Sequence, residues 1–586
     1  MDGMAEATRG RSCDVLVIGS GAGGLATAVT AAALGLEVIV AEKEPVFGGT
    51  TAWSGGWLWV PRNPAVIRAG IEEDAEAPRT YLRHILGNRY DPTRVDAFLE
   101  AGPRMIAFFE RETAVRFLPG SAVPDFHGNV PGAVTGGRSV VAAPYDGRGL
   151  GPLIARLRRP IPETTLAGMA IASGADLGHF LRATRSAASF AHVAKRLARH
   201  ALDLARHRRS MQLVNGNALA ARLLRSAADR GVTLWHSTAA RQLLRAGDAV
   251  TGAILEGPEG RIAVTARCGV VLATGGFPHD PARQRDLFPH VREGTPHHSA
   301  APATNTGDGL RLAEAVGGQV DGGLADSGAW APVSLVPRAD GTTGRFPHLI
   351  ERGKPGIIAV TRQGRRFVNE SGPYHDFMRG LFQALRPGET AECWLVCDHR
   401  FLRRYGLGAV KPAPLPLSPW LRNGYLKRGG TIGELAAACG IDAAGLRDTL
   451  AAYNNDARQG LDTLFGRGST PFQRGQGDAH HDGPNPCIAP IGQGPFYAVR
   501  IVPGSLGTFA GLVTDAEARV LDARGQPIPG LYAAGNDLSS VMGGQYPSGG
   551  ITLGPAMTFG WIAARHMAGR ATDHDTPQVG RNEHAV

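Results

Sequence analysis

Two stretches of the 586-residue chain place groups where chemistry could occur. Near the C-terminus, GGQYPSGGITLGPAMTFGW runs from Gly543 to Trp561. It reads as a glycine-rich turn entering a helix, yet it holds a large ring with a hydroxyl, Tyr546. The helix start that follows has backbone N–H groups with no intrahelical acceptor, so a phenol stands beside free amide donors. Near the N-terminus, Gly19, Gly21 and Gly24 form a G-x-G-x-x-G pattern. Gly19 permits a tight turn, Gly21 lets a pyrophosphate approach the backbone, and Gly24 lets a helix pack closely on a strand.

The elements that position the second pattern are legible around it. CDVLVIGSGAGGLATAVTAAALGLEVIVAEKE reads as strand, turn, helix and second strand. Val15 to Ile18 is an apolar run of buried-strand type, and the helix start at Ala22 faces the phosphates with its partial positive charge. The second strand ends at Glu42, beside Lys43, where an acid is expected to bind ribose hydroxyls. NAD and FAD both use this unit.

Composition bounds the rest. Hydrophobic residues make up 43%, charged residues 19%, and mean hydropathy is −0.11, the profile of a globular enzyme with more than one domain. The net charge of +10 comes mostly from arginine, but no nucleic-acid motif accompanies it. Its richest stretch, Lys195 to Ser210, fits an amphipathic helix, read as a solvated face with attachment to acidic lipid surfaces as the alternative. The six cysteines are scattered without zinc or disulfide spacing, the N-terminus lacks the apolar core of a signal peptide, and no run is long enough for a membrane span. A cytoplasmic protein without a metal is expected.

Glu42 to Gly56, EKEPVFGGTTAWSGG, resembles the second stretch of flavoproteins in the succinate dehydrogenase and fumarate reductase superfamily. The resemblance implies that Gly48, Gly49, Thr50, Thr51, Ser54, Gly55 and Gly56 run along the dinucleotide toward a flavin. Members with covalent flavin carry a histidine in this loop; threonine and tryptophan stand here, so FAD is expected to be non-covalent. GVVLATGGF, with Ala273, Thr274 and Gly275, resembles a further dinucleotide contact. GLYAAGND resembles the strand and turn that reach the ribityl chain, implying roles for Gly535 and for Asp537 or Asn536. Ile551 is also placed beside the cofactor.

The Tyr546 segment resembles the C-terminal signature of the 3-ketosteroid Δ1-dehydrogenases and related ketone desaturases. Glu351 to Phe377 resembles their cap stretch, which ends in N-E-x-x-P-Y. This implies that Tyr546 and the N–H of Gly550 hold a ketone oxygen while Tyr374 removes the α proton. Flavin N5 would take a hydride from the β carbon. Such donors stabilise the developing enolate, and Tyr374 needs a lowered pKa or a proton relay. Relatives carry a helper tyrosine where this chain has Phe126; the adjacent His127 is a candidate substitute, and Ser548 either joins the pocket or keeps the turn small. An α/β architecture is expected: a Rossmann-like FAD domain over 10–305, with a helical, basic excursion at 130–215, and 498–575, an inserted α+β cap over 306–497, and a loose tail at 576–586. The implied partners are a cyclic ketone, steroidal or smaller, and an external electron acceptor such as a quinone, a dye or a redox protein. Two rivals stand beside this reading: a fumarate-reductase-like enzyme, whose candidate carboxylate clamp is Arg352 with Lys354, and a non-catalytic FAD-binding protein.

Overall fold

The computed structural model describes residues 9–570; the tail read at 576–586 lies outside the described residues. Strand β1 (Arg9–Ile18) leads into helix α1 (Ala22–Ala33) and strand β2 (Val38–Ala41). The strands β3 (Thr233–Trp235), β4 (Ala239–Ala246), β5 (Ala249–Gly257) and β6 (Gly260–Leu272) follow. The main sheet runs β13 (Arg519–Leu521), β14 (Pro527–Ala533), β6, β1, β2, β3, with β5 and β4 continuing antiparallel from β6. Its centre is parallel, β1 lying between β2 and β6. Val15, Leu16 and Val17 have no exposed surface, as a strand covered on both faces by helices demands. Helix α3 (Asn215–Asp229) and the C-terminal helix α6 (Leu553–Met567) pack on α1. A Cβ on Gly560 would stand 2.6 Å from the Gly23 carbonyl oxygen, so glycine sets the α1–α6 approach.

The second sheet is antiparallel: β8 (Thr343–Pro347), β7 (Gly328–Pro337), β12 (Phe496–Thr508), β10 (Cys393–Asp398), β9 (Ile357–Val360), with β11 (Lys427–Gly429) also on β12. With helices α4 (Tyr374–Ala384) and α5 (Pro471–Gln476) it forms the inserted cap. The boundary read at 497/498 falls inside β12, whose pairing with β7 continues to Thr508. Within the segment read as cap, strand Val320–Asp321 pairs with Gly511–Leu512 outside the cap sheet. Nothing local in FYAVRIVPGSLGT marks where a buried strand changes domain. The excursion at 130–215 is only partly helical. Its regular helix is α2 (Ala187–His207), whereas Ser139–Ala142 is a strand pairing with Trp57–Trp59 and Phe117–Pro119.

Candidate active site

A cavity of about 1410 Å³ begins at the glycine turn after β1 and runs between the main sheet and the cap. Gly19, Gly21, Ala22, Glu42, Lys43, Gly49, Thr50, Thr51, Ser54, Gly55, Gly56, Ala273, Thr274, Gly275, Gly535 and Asn536 all line it. The turn is built as its glycines suggest. Gly19 has φ +107°, and a Cβ there would stand 2.2 Å from the Ala273 carbonyl oxygen. A Cβ on Gly24 would stand 2.1 Å from the Gly19 carbonyl oxygen, so Gly24 serves helix–strand packing and does not itself line the cavity. On Gly21 a Cβ would meet only Thr51 Oγ1, at 3.7 Å, leaving an open cradle at the helix start. Among the described residues the N–H groups of Gly21 and Gly23 have no acceptor. An open cradle with unused amides at a helix N-terminus fits a pyrophosphate.

Two acids behave differently. Glu42 lines the cavity while its Oε2 accepts from Ser20 N–H (3.1 Å) and Oγ–H (2.6 Å). Asp537 is fully buried outside the cavity wall. Its carboxylate accepts from Thr274 N–H (2.5 Å), Thr274 Oγ–H (3.0 Å) and Gly276 N–H (2.8 Å), tying together the ends of β6 and β14. Asn536, not Asp537, faces the cavity. Ile551 is also buried away from it. No histidine or cysteine is among the described lining residues.

Further along the cavity three aromatic rings meet. Phe126 stacks on Tyr546 (centroids 5.6 Å, planes 14° apart) and meets Tyr374 edge-on at 5.6 Å. Tyr374 and Tyr546 are themselves 4.9 Å apart edge-to-face. The turn carrying Tyr546 is pinned through its carbonyls: Pro547 accepts from Tyr81 Oη–H (2.6 Å) and Phe126 N–H (3.0 Å), Gly549 from Ser139 Oγ–H (3.1 Å), and Gly550 from Trp59 N–H (3.0 Å). Gly550 has φ +102°, and a Cβ would stand 2.6 Å from the Trp59 nitrogen. Its own N–H has no acceptor among the described residues, and Gly550 lines the cavity with Tyr546. A phenol and a free amide therefore share one wall on a rigid mount.

Two candidate residues stand away from the cavity. Ser548 is fully buried outside the cavity wall, its hydroxyl facing Asp125, because the fixed carbonyls on either side turn it inward. His127 does not line the cavity either; its Nδ1 lies 3.7 Å from the Asp376 carboxylate. What VPDFH does contribute is Asp125, buried and accepting from Trp59 Nε1 (2.9 Å) and Arg138 Nη1 (2.6 Å), which locks the strand under Gly550.

Tyr374 starts helix α4, delivered by a loop that Glu370 anchors. Glu370 is fully buried and accepts from Arg366 (2.6 and 2.8 Å), Arg467 (3.2 Å) and Ala359 N–H (3.0 Å). Arg352 is consumed by the same loop. It donates to the carbonyls of His348 (2.7 Å), Glu370 (2.8 Å) and Gly372 (3.4 Å) and does not line the cavity. It cannot serve as a carboxylate clamp. Burial, then the neighbouring Tyr546, pushes the Tyr374 phenol well above its ordinary range, with Arg352 opposing. Burial pushes Tyr546 up to about 12. Both phenols are neutral near pH 7.

Residues 14–553 match the FAD binding domain family. The chain belongs to that family. The flavoprotein is 42% identical over 573 residues to the 4-oxocyclohex-2-ene-1-carboxylate 5-dehydrogenase of Sinomonas cyclohexanicum, covering 97% of this chain and 96% of that one. It is 35% identical over 570 residues to a 3-oxosteroid 1-dehydrogenase of Mycobacterium tuberculosis, covering 95% and 98%. Its fold matches the crystal structure of 3-ketosteroid Δ1-dehydrogenase from Sterolibacterium denitrificans with a TM-score of 0.88 and 36% identity, over 95% of this chain and 100% of that one. It is therefore an FAD-dependent oxidoreductase of the 3-ketosteroid Δ1-dehydrogenase-like group.

Proposed function

We propose that the protein desaturates a cyclic ketone between the carbons α and β to the carbonyl. The observation that carries this is the meeting of Tyr374, Tyr546 and the free N–H of Gly550 on the wall of the cavity that continues to the Gly19–Gly24 turn. Tyr546 Oη–H and Gly550 N–H donate to the ketone oxygen. They tighten as negative charge develops there, each worth about 3–4 kcal/mol in the transition state. Tyr374 Oη, as phenolate, takes the α proton. The Gly19–Gly24 turn and the Gly49–Gly56 loop would hold FAD non-covalently, and it would supply the two-electron oxidant for the β hydride. The electron pair of the broken α C–H bond becomes the new π bond, and proton and hydride leave from adjacent carbons.

Phe126 shapes the pocket between the two phenols but has no proton to pass, so Tyr374 ionises without a side-chain relay from that position. The relatives act on a small oxocyclohexene carboxylate and on 3-oxosteroids, and we place this chain with the cyclic ketones as a class. A fumarate-reductase-like reaction lacks support, since Arg352 is spent on backbone carbonyls. An external acceptor (quinone, dye or redox protein) reoxidises the flavin. Anaerobic mixing with 4-oxocyclohexane-1-carboxylate or androst-4-ene-3,17-dione is expected to bleach the flavin band. Bleaching by neither ketone, with fumarate reoxidising the reduced enzyme, would overturn the assignment.

We place the enzyme in the cytoplasm, with α2 as a solvated face and peripheral contact with an acidic membrane surface as the alternative. No described helix is long and apolar enough to cross a membrane. The exposed residues Phe190 (65%), Leu197 (41%) and Leu204 (38%) recur every seven residues along one flank of α2, whereas Lys195, Arg199 and Arg206 lie about half a turn round the helix from them, so a single lipid-facing basic stripe is not formed. Leu197 also lines the cavity. Equal recovery with anionic and neutral vesicles is the expected result; co-sedimentation with anionic vesicles alone would favour the alternative.

A further inference from the structure

Four cations line the cavity: Lys43, Arg158, Lys354 and Lys411. Lys43 pairs with Asp308, and Arg158 lies 3.4 Å from Glu44. Among the described residues neither Lys354 nor Lys411 makes an ion pair. Lys354 Nζ donates to the Gly477 carbonyl (2.6 Å) and Lys411 Nζ to the Glu163 carbonyl (2.9 Å). An ammonium has three donors, so each lysine retains two unused ones. The acids nearest Lys354 are engaged elsewhere, Asp478 with Arg404 and Tyr405, and Glu351 with His348. Burial lowers the affinity of Lys354 for its proton, as it does for any cation desolvated without a counter-charge.

Lys354 is also tied to the tyrosines. Its partner, Gly477, directly follows helix α5, whose Phe472 ring lies 4.4 Å from Phe126, which touches both phenols. Lys354 thus shares the cavity with Tyr374, Tyr546 and Gly550 and is joined to their aromatic wall through α5. The Lys354 backbone is fixed as well, its carbonyl accepting from Arg467 (2.9 Å).

We propose that Lys354 is a carboxylate subsite: it binds an anionic substituent of the substrate ring on the side opposite the ketone held by Tyr546 and Gly550. This deepens the reading above and rests on it. A carboxylate supplies the missing counter-charge, whereas the hydrocarbon of a steroid would leave the ammonium unpaired. The assignment makes a small oxo-carboxylate the preferred class.

The test compares 4-oxocyclohexane-1-carboxylate with its methyl ester in the wild-type holoenzyme, Lys354→Met and Lys411→Met, alongside equilibrium binding of cyclohexanecarboxylate, which needs no turnover. In the wild type the acid should show a KM roughly ten- to a hundredfold below that of the ester, the range expected for a charge-assisted hydrogen bond. Lys354→Met should raise the KM of the acid, leave that of the ester within about threefold, and abolish cyclohexanecarboxylate binding. Equal KM values in the wild type, or a gap that survives in Lys354→Met, overturn the subsite even if both ketones bleach the flavin. Loss of the gap in Lys411→Met alone also overturns it. If no ketone bleaches the flavin, the functional reading fails, and the cyclohexanecarboxylate measurement alone decides the subsite. If Lys354→Met does not fold, Lys354→Gln replaces it, and a gap that survives in Lys354→Gln overturns the subsite.

Discussion

Tyr546→Phe removes one hydroxyl and little else. The ring is buried at 4% exposure and stacked on Phe126, contacts that phenylalanine keeps. The stability cost is that of leaving the Tyr374 hydroxyl without its neighbour, about 1 kcal/mol, a shift of about 1 °C in a chain of this size. The catalytic cost is larger. On the proposed reading the enolate oxygen has two donors on this wall, Tyr546 Oη–H and Gly550 N–H, and loss of one from a preorganised site costs about 2.7–4 kcal/mol. Anaerobic stopped-flow bleaching of the flavin by a saturating ketone should therefore slow about 10²–10³-fold, with normal flavin content. A rate within fivefold of wild type, in folded and flavin-loaded protein, would refute the assignment of Tyr546 to the ketone oxygen.

Further expectations follow from the same geometry. Because burial and Tyr546 hold the Tyr374 phenol well above its ordinary range, kcat/KM should rise about tenfold per pH unit from neutrality; a flat profile would argue against a phenolate base. The same raised phenols favour the neutral form in the folded state. Their stabilisation is therefore complete below the ordinary phenol pKa near 10 and declines as pH rises toward the Tyr546 value of about 12, so the melting temperature should fall there. Gly21→Ala should fold, since its φ of −71° suits alanine and its Cβ would meet nothing closer than 3.7 Å, yet should lose FAD; Gly24→Ala should be destabilised even without FAD because of its 2.1 Å clash. Denaturation with FAD removed separates the two. Glu370→Gln leaves Arg467 and part of Arg366 buried without their counter-charge and should cost about 3–5 kcal/mol, read by denaturant unfolding; a loss below 1 kcal/mol would contradict its anchoring role.

Much of this site was legible in the sequence because its signals are local. The glycines of the first turn, the acid at the end of β2 and the turn before α6 act through their own backbone and near neighbours. Family resemblance then connected Tyr546 with Tyr374, more than 150 residues apart. Side-chain direction was not legible. Ser548 turns inward because Tyr81, Phe126, Ser139 and Trp59 hold the surrounding carbonyls from four other segments. Arg352 looked free in ERGKPG but is saturated by a loop that returns 18–20 residues later. Asp537 and Asn536 are adjacent and chemically alike, and only the β6–β14 pairing decides which is structural. The chain passes residue 497 within β12, one unbroken strand, so no local signal marks a domain edge there.

The central claim is that Tyr374 removes an α proton from a ketone clamped by Tyr546 and Gly550. It is tested most directly with dithionite-reduced enzyme and a saturated cyclic ketone in D₂O, where no hydride can be accepted and only proton transfer remains. Deuterium should enter the α position in the wild type and not in Tyr374→Phe, with Tyr546→Phe slowed. Exchange that persists unchanged in Tyr374→Phe would contradict the account.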